Sequence, residues 1–309
     1  MKIYNLNTKT NIDQKNFCLT VGNFDGIHRG HQYVIKEVLK VADENKLKSA
    51  ILSFNPHPKI FFKKFKMFSN IITKENKLDL LKNMGISIYL DYIFDSQLSS
   101  LSAEEFVDLI LVKQLEIKLI IVGADFRFGK NRSGNLDLLN DLSLKNNFQV
   151  KVIEPVKLTN NDAKYSSSLI REQIKKGLFK EVNSALNRYW QMTGNIIKGD
   201  QRASKMDFPT ANMFPPDQIL PKYGVYCVNA IIENKKYCGI SNFGQRPTVD
   251  GSKLLLETHL FGFNDNIYGK ELTVEFLTFI RPEQKFKNFE KLTEQIKKDI
   301  ITAKSYHNL

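Results

Sequence analysis

Between residues 17 and 153 the sequence alternates short β-rich runs with segments in which apolar residues recur at helical spacing. Each helical segment can carry the chain back along the preceding strand, so the alternation is typical of an α/β domain with a parallel sheet. Helices are predicted around 34–42 and 106–111. The predicted strands are 17–21, 49–54, 86–94, 117–123 and 148–153.

Beyond Trp190 the pattern changes to β-like runs separated by Gly, Pro and Asn, which predicts an antiparallel β-barrel. Two helices are predicted before this change, after 166–168 and around 179–188. Apolar residues at helical spacing over 289–300 predict a C-terminal helix that packs on the barrel. We place the domain boundary near 188–192, which divides the chain into domains 1–188 and 189–309. The β-like runs are 191–198, 224–232, 236–243, 253–261 and 271–280.

Several protein classes are disfavoured. No apolar run approaches the roughly 18 residues of a membrane span, and the first 14 residues show no apolar signal core, so we expect a cytoplasmic protein without a membrane partner. Cys18, Cys227 and Cys238 are too far apart for a disulfide framework or a zinc site and are predicted to be small core residues.

The chain is strongly basic, with 45 Lys and Arg against 33 Asp and Glu and a formal net charge of +12. It has 8 arginines against 37 lysines, beside abundant Asn and Ile, and a coding preference for A/T-rich codons would produce the same bias. A polyanionic partner, whether nucleic acid, nucleotide or acidic membrane, is the other explanation.

The segment 19–32, LTVGNFDGIHRGHQ, joins a predicted strand to a predicted helix through Gly22, Gly26 and Gly30. Glycines at such a turn allow backbone N–H groups to approach a phosphate at the helix N-terminus. His28 and His31 are three residues apart at the start of the helix, so both rings can face the same phosphate oxygens. The pattern predicts a site for phosphoryl chemistry.

With the segments SFNPHP (53–58), VGADFRFGKNRSG (122–134) and YSSSLIREQIKKG (165–177), the chain resembles the bacterial bifunctional riboflavin kinase/FMN adenylyltransferases, or FAD synthetases. The last segment is similar to the family's I-S-S-T-x-I-R signature, with Tyr165 and Ser168 in place of Ile and Thr. The resemblance implies a Rossmann-like nucleotidyltransferase domain that transfers the adenylyl group of ATP to FMN and releases pyrophosphate.

This reaction needs positioning and charge neutralisation rather than a covalent nucleophile, since the FMN phosphate is already an anion. The predicted catalytic residues of this half are His28, His31, Ser167, Ser168 and Arg171. The predicted nucleotide-binding residues are Gly22, Asn23, Phe24, Asp25, Gly26, Gly30, Asn55, His57, Asp125, Phe126, Phe128 and Arg132.

The second half resembles the flavokinase domain of the same family through FPTAN (208–212), GISNFGQRPTV (239–249) and LETHLFGF (256–263). The resemblance implies that Thr210 and Asn212 bind Mg²⁺ and the ATP phosphates, and hard oxygen ligands suit that ion. Glu257 has the position of the family's catalytic base, which would take the proton of the riboflavin 5′-hydroxyl. Further predicted ligand-binding residues are Gly199, Arg202, Lys205, Pro209 and Arg246.

The loop before FPTAN departs from the family's Gly-Arg-Gly-Arg-x-Leu-Gly-Phe pattern, because the chain has Ala203 and Asp207 at two glycine positions and also Ser204. Asn266 stands where the family often has Asp. Asp207 brings a negative charge towards an anionic nucleotide. We expect kinase activity with weakened ATP binding, and the alternative is an FMN adenylyltransferase with a degenerate kinase domain.

Two other functions remain as alternatives. H-x-G-H segments also occur in nucleotidyltransferases that act on pantetheine phosphate, nicotinate mononucleotide or glycerol phosphate, but these lack a barrel with an F-P-T-A-N run. A basic barrel with interspersed aromatic residues could instead bind RNA. The favoured interpretation has riboflavin, FMN, FAD and ATP as its ligands, Mg²⁺ as cofactor and no nucleic acid; the sequence leaves the oligomeric state open.

Overall fold

The computed structural model describes residues 1–10, 12–62, 69–154, 165–197, 208–248, 251–263, 265 and 267–309. The chain forms two compact units, of which the first contains Met1–Phe68 and Lys74–Ser166 and the second contains Ser69–Thr73 and Ser167–Leu309. The two helices predicted between residues 166 and 188 therefore lie in the second unit. The boundary of 188 between two separate activities therefore stays a prediction.

In the described residues the first unit contains a six-stranded parallel sheet with the order β1-β4-β3-β2-β5-β6. This confirms the predicted α/β class and each of the predicted strands. The additional strand, β1, lies at the edge of the sheet beside β4. The strands are β1 (Lys2–Leu6), β2 (Phe17–Val21), β3 (Lys48–Asn55), β4 (Ile88–Ile93), β5 (Leu119–Gly123) and β6 (Gln149–Ile153).

The central strands are buried on both faces. Cys18 of β2 packs with Val38 of the first helix on one face, and its neighbours Phe17 and Leu19 contact the opposite core, which includes Phe106. Successive side chains of a strand point to opposite faces, so an uninterrupted apolar strand such as 17–21 requires helices on both sides. Burial raises the pKa of the Cys18 thiol to about 12, in agreement with its predicted core position.

The helix predicted around 106–111 begins earlier, with a capping box in which Ser102 and Glu105 bind each other's backbone N–H groups. It then continues as a π-helix, and Leu115 N donates to Ile110 O across five residues. Apolar spacing alone does not distinguish these two helix types. The helices of the first unit are α1 (Arg29–Glu44), α2 (Pro58–Phe61), α3 (Lys74–Asn83), α4 (Ser96–Ser100), α5 (Ala103–Glu105) with the π-helix Phe106–Gln114, the 3₁₀ turn Lys130–Arg132 and α6 (Leu136–Asn146).

The described part of the second unit contains an antiparallel sheet with the order β7-β12-β9-β10-β11-β8, and Ile197, just after β7, forms a bridge with Asn212 of β8. The predicted barrel with a C-terminal helix is confirmed. The elements are α7 (Ser167–Lys176), α8 (Phe179–Leu186), β7 (Trp190–Asn195), β8 (Ala211–Met213), β9 (Gly224–Ile232), β10 (Lys235–Thr248), β11 (Gly251–Leu260), β12 (Glu271–Pro282) and α9 (Phe289–Tyr306).

An aromatic cluster joins α8 to the barrel. The ring of Phe179 lies 5.4 Å from that of Trp190 and 5.1 Å from that of Phe276, measured between centroids. Trp190 also donates its indole N–H to the carbonyl of Ile71 at 2.8 Å, which ties the segment 69–73 to this unit. In the described ranges no helix combines the length and apolar character needed to cross a membrane.

Candidate active sites

The loop after β2 has a strained backbone. Phe24, Gly26 and Ile27 have φ values of +48°, +84° and +41°, and this left-handed region is costly for a residue such as Ile. Phe24 and Ile27 are 5% and 1% exposed, so burial of their side chains holds the loop in this conformation. A Cβ atom at Gly22 would lie 3.2 Å from the ring of Phe24, which explains the glycine there.

His28 and His31 stack on each other at the start of α1, with ring centroids 3.7 Å apart and planes inclined by 19°. His28 is the N-cap of the helix, and its Nδ1 atom accepts the backbone N–H of His31 at 3.3 Å. An accepting Nδ1 leaves the proton of the neutral ring on Nε2. A Cβ atom at Gly30 would lie only 3.1 Å from Cε1 of His28, so Gly30 admits the ring. The predicted pairing of the two imidazoles is present.

His31 is held in its neutral form. Its Nδ1 atom is buried and has no hydrogen-bond partner among the described residues. Burial lowers the pKa of His31 well below its usual value of 6.5, and the charges of His28 and Lys77 lower it further. A buried ring nitrogen without a partner is costly unless a ligand pairs with it, so His31 is available to a ligand that carries oxygen atoms.

The pKa of His31 makes a testable contribution to stability. In the unfolded chain His31 takes up a proton near its usual pKa of 6.5, whereas the lowered pKa of the folded state keeps the ring neutral. The free energy of unfolding should therefore decrease as the pH falls below about 6.5 towards the folded-state pKa. Urea unfolding at several pH values should show a smaller decrease for His31→Gln than for the unchanged protein. Identical pH dependences would contradict this expectation.

Hydrogen bonds to the backbone at the carboxyl end of β3 connect the loops around this site. Asn23 accepts the backbone N–H of Phe54 through Oδ1 at 3.1 Å, which joins the loop after β2 to β3. His57 is the N-cap of α2 and accepts the N–H of Lys59 at 3.1 Å. Asn55 is exposed, and its carbonyl accepts the N–H of Phe94 at 2.8 Å. The carboxyl edge of an open parallel sheet is where ligands bind.

In the segment after β5, the residues predicted to bind nucleotide differ in how deeply they are buried. Asp125 and Arg132 are exposed, and Phe126 is half-buried. The ring of Phe128 is 6% exposed and lies over Gly134, where a Cβ atom would come within 2.7 Å of it. Phe126 stacks on Phe128 with centroids 5.4 Å apart. Phe128 thus belongs to the core and supports Phe126.

Ser167, Ser168 and Arg171 lie in the second compact unit, in the first turns of α7. Ser168 is exposed and Ser167 is half-buried. The Nε atom of Arg171 donates to the carbonyl of Ser69 at 3.0 Å. Their assignment to the adenylylation reaction stays a prediction.

In the barrel, Glu257 is the centre of a row of polar side chains. It lies opposite Asn212 of β8 on one side and opposite Asn242 of β10 on the other. Residues directly opposite each other in antiparallel strands project from the same face, so these three side chains are neighbours. Asn242 donates to Oε2 of Glu257 at 3.5 Å, at the limit of a hydrogen bond. Sequence reasoning missed Asn242, although it lies in the segment 239–249.

Arg246 forms an ion pair with Glu257. Its Nε atom donates to Oε2 at 2.9 Å, and an Nη2–H group donates to the same oxygen. The Glu257 side chain is 18% exposed. Both contacts use Oε2, so the pairing is one-sided, and among the described residues Oε1 is left for another partner.

Thr210 and Asn212 flank the start of β8. The Nδ2 group of Asn212 donates to the carbonyl of Thr210 at 3.2 Å, and Asn212 is 6% exposed. The carbonyl of the preceding Pro209 lies 2.9 Å from Nδ1 of His259, a contact that sequence reasoning missed. These contacts fix the backbone path of the P-T-A-N run, which carries the hydroxyl of Thr210 and the amide of Asn212. Several predicted residues lie outside the described residues: Gly199, Arg202, Ala203, Ser204, Lys205, Asp207 and Asn266.

Comparison with known proteins identifies both halves. A family model of FAD synthetase matches residues 10–169, and one of riboflavin kinase matches residues 186–307. A bifunctional riboflavin kinase/FMN adenylyltransferase of Buchnera aphidicola subsp. Schizaphis graminum is 37% identical over 95% of both chains. The chain belongs to the bifunctional riboflavin kinase/FMN adenylyltransferase family. The Haemophilus influenzae member is 35% identical over 94% of both chains.

A solved structure also matches most of the length of the chain. The crystal structure described as a macrolide-efflux protein from Streptococcus pneumoniae has a TM-score of 0.88, 29% sequence identity and 98% coverage of each chain. The family assignment rests on the two family models and the bifunctional relatives, which agree with each other. The family uses ATP and, in general, a divalent metal ion.

Proposed function

We propose that the chain phosphorylates riboflavin to FMN through the Glu257 site of the barrel and adenylylates FMN to FAD through the His28 and His31 site of the α/β unit. The observation that supports adenylylation most strongly is the stacked histidine pair at the start of α1, in which the Nδ1 atom of His31 has no hydrogen-bond partner within the described ranges. For the kinase it is the row formed by Glu257 with Asn212 and Asn242.

In FAD formation, an oxygen of the FMN phosphate attacks the α-phosphorus of ATP. The bond between that phosphorus and the oxygen bridging to the β-phosphate breaks, and its electron pair leaves with pyrophosphate. The Nε2–H group of His28 and the backbone N–H groups of the first turn of α1 donate to phosphate oxygens, and the positive end of the helix dipole supports them. The neutral ring of His31 donates an N–H to a phosphate oxygen and adds no positive charge that would repel His28.

In FMN formation, the 5′-hydroxyl oxygen of riboflavin attacks the γ-phosphorus of ATP. The bond between that phosphorus and the oxygen bridging to the β-phosphate breaks, and its electron pair leaves with ADP. Glu257 accepts the hydroxyl proton through Oε1, because Arg246 binds Oε2. Asn242 and Arg246 hold the carboxylate in place, so its position does not depend on the substrate.

Mg²⁺ is the metal ion that we propose for the kinase site. The hydroxyl of Thr210 and the amide oxygen of Asn212 are hard, neutral ligands, and the contact of Asn212 Nδ2 with the carbonyl of Thr210 turns the amide oxygen away from that carbonyl. Such ligands suit Mg²⁺ when phosphate oxygens complete its shell. The ion would neutralise charge on the ATP phosphates.

A direct test supplies the full chain with riboflavin, ATP and Mg²⁺ and separates riboflavin, FMN and FAD by chromatography. Formation of FMN followed by FAD is expected. FAD formation from added FMN, without phosphorylation of riboflavin, would instead support the alternative of a degenerate kinase domain. No product from either substrate would contradict the proposal. The other proposed properties are a cytoplasmic location and action on these small molecules without nucleic acid.

The domain boundary gives a further prediction: residues 1–188 alone should convert FMN and ATP to FAD. This fragment keeps the loop after β2, the segment after β5 and α7. It loses Trp190 and Phe276, on which Phe179 of α8 packs, so we expect it to be less stable than the full chain. FAD formation by the purified fragment is the measurement. A soluble, folded fragment that binds ATP but makes no FAD would show that the activity needs the second half.

A further inference from the structure

The side chain of Lys77, on α3, lies at the carboxyl edge of the parallel sheet, where β2 and β3 end. Its ammonium group is 3.4 Å from the carbonyl oxygen of Asn23, in the loop after β2, and 3.4 Å from Oγ of Ser53, near the end of β3. It also lies 5.4 Å from the ring centroid of Tyr89. Lys77 is only partly exposed, so its charge is held at this edge.

The polar contacts of Lys77 are with neutral groups. In the described part of the chain no carboxylate forms an ion pair with Lys77, and both of its polar contacts are long and involve neutral oxygens. Lys74, one turn earlier on α3, provides the contrast, because its ammonium group lies 2.5 Å from the buried carboxylate of Asp91. Lys77 can therefore exchange its weak contacts for an anion at little cost.

Lys77 also lies close to His31. The positive charge of Lys77 is one cause of the lowered pKa of His31, so the two groups lie within electrostatic reach of each other. Among the described residues, the buried Nδ1 atom of His31 has no hydrogen-bond partner and the ammonium group of Lys77 has no carboxylate counter-ion. A polyanion at the start of α1 would satisfy both groups.

We propose that Lys77 binds the β- and γ-phosphates of ATP during FAD formation and stabilises the negative charge that pyrophosphate acquires as it leaves. The proposal deepens the adenylyltransferase function proposed above and rests on it. A lysine suits this task, because its ammonium group is a compact charge on a flexible stem that can follow a departing anion. The histidines and the N-terminus of α1 supply neutral donors, and Lys77 adds a full charge.

The test compares Lys77→Met, Lys77→Arg and Lys82→Met in the full chain. Lys82 is an exposed lysine on the same helix and serves as the matched control. For Lys77→Met we expect the kcat/KM for ATP in FAD formation to fall about tenfold or more, as is typical for loss of a charged hydrogen bond. The inhibition constant of inorganic pyrophosphate should rise by a similar factor. Lys77→Arg should retain most of both properties, and Lys82→Met should match the unchanged protein.

The outcomes separate this proposal from the function on which it rests. An unchanged protein that makes no FAD contradicts the adenylyltransferase function itself. Normal FAD kinetics and pyrophosphate inhibition in Lys77→Met overturn the role of Lys77 alone. FMN formation from riboflavin in the same samples reports whether the variant chain is intact. If Lys77→Met fails to fold, Lys77→Gln replaces it, and equal pyrophosphate inhibition of the Gln and Arg variants would overturn the proposal.

Discussion

Replacing His31 with alanine is expected to lower the rate of FAD formation from FMN and ATP about 100-fold or more, since loss of one preorganised donor typically costs that much. The ring of His31 stacks on His28, and its buried Nδ1 atom has no partner in the part of the chain that the structure describes, so it is placed for a ligand. Its backbone N–H, which donates to Nδ1 of the N-cap residue His28, remains in the variant. The loss should therefore come from the missing ring and not from unfolding of α1.

The measurement is the rate of FAD formation at saturating ATP and FMN, together with urea unfolding. FMN formation from riboflavin by the same variant serves as the internal control, because the kinase residues lie in the barrel. FAD formation within a fewfold of the unchanged rate by a folded His31→Ala protein would exclude His31 from the reaction.

The sequence predicts the α/β unit well because its signals are local. The apolar run 17–21 and the helical stripe that includes Val38 both follow from spacing within a few residues. β1 was missed because in the strand Lys2–Leu6 only Leu6 is fully buried, so the apolar pattern is weak. β8 was missed because it contains only 3 residues and gains its partners from β11, far along the chain.

The candidate sites show the same limit. His28 and His31 could be predicted, because both lie in one short segment with the glycines that shape it. Asn242 meets Glu257 only through the register of β10 and β11. Lys77 reaches the carboxyl edge of the sheet through the packing of α3. The sequence of α3 itself resembles that of any solvent-exposed helix. Contacts that depend on register or on helix packing cannot be obtained from spacing along the chain.

Replacing Glu257 with glutamine should nearly abolish FMN formation from riboflavin and leave FAD formation from added FMN unchanged. Glutamine has the size of glutamate and can still accept a hydrogen bond from Arg246, so the row with Asn212 and Asn242 is preserved. It cannot take the proton of the 5′-hydroxyl, and loss of a general base typically lowers the rate about 100-fold or more. Glu271→Gln is the matched control, since Glu271 is an exposed glutamate on β12 of the same sheet.

The two activities should respond separately, because the residues proposed for adenylylation are distinct from Glu257. Both reactions are measured by chromatography of the flavins, with riboflavin or FMN as the starting substrate. A folded Glu257→Gln protein that phosphorylates riboflavin at the rate of Glu271→Gln would exclude Glu257 as the base. If the unchanged protein makes no FMN but converts FMN to FAD, the substitutions at Ala203 and Asp207 become the first cause to test, by restoring glycine at each position.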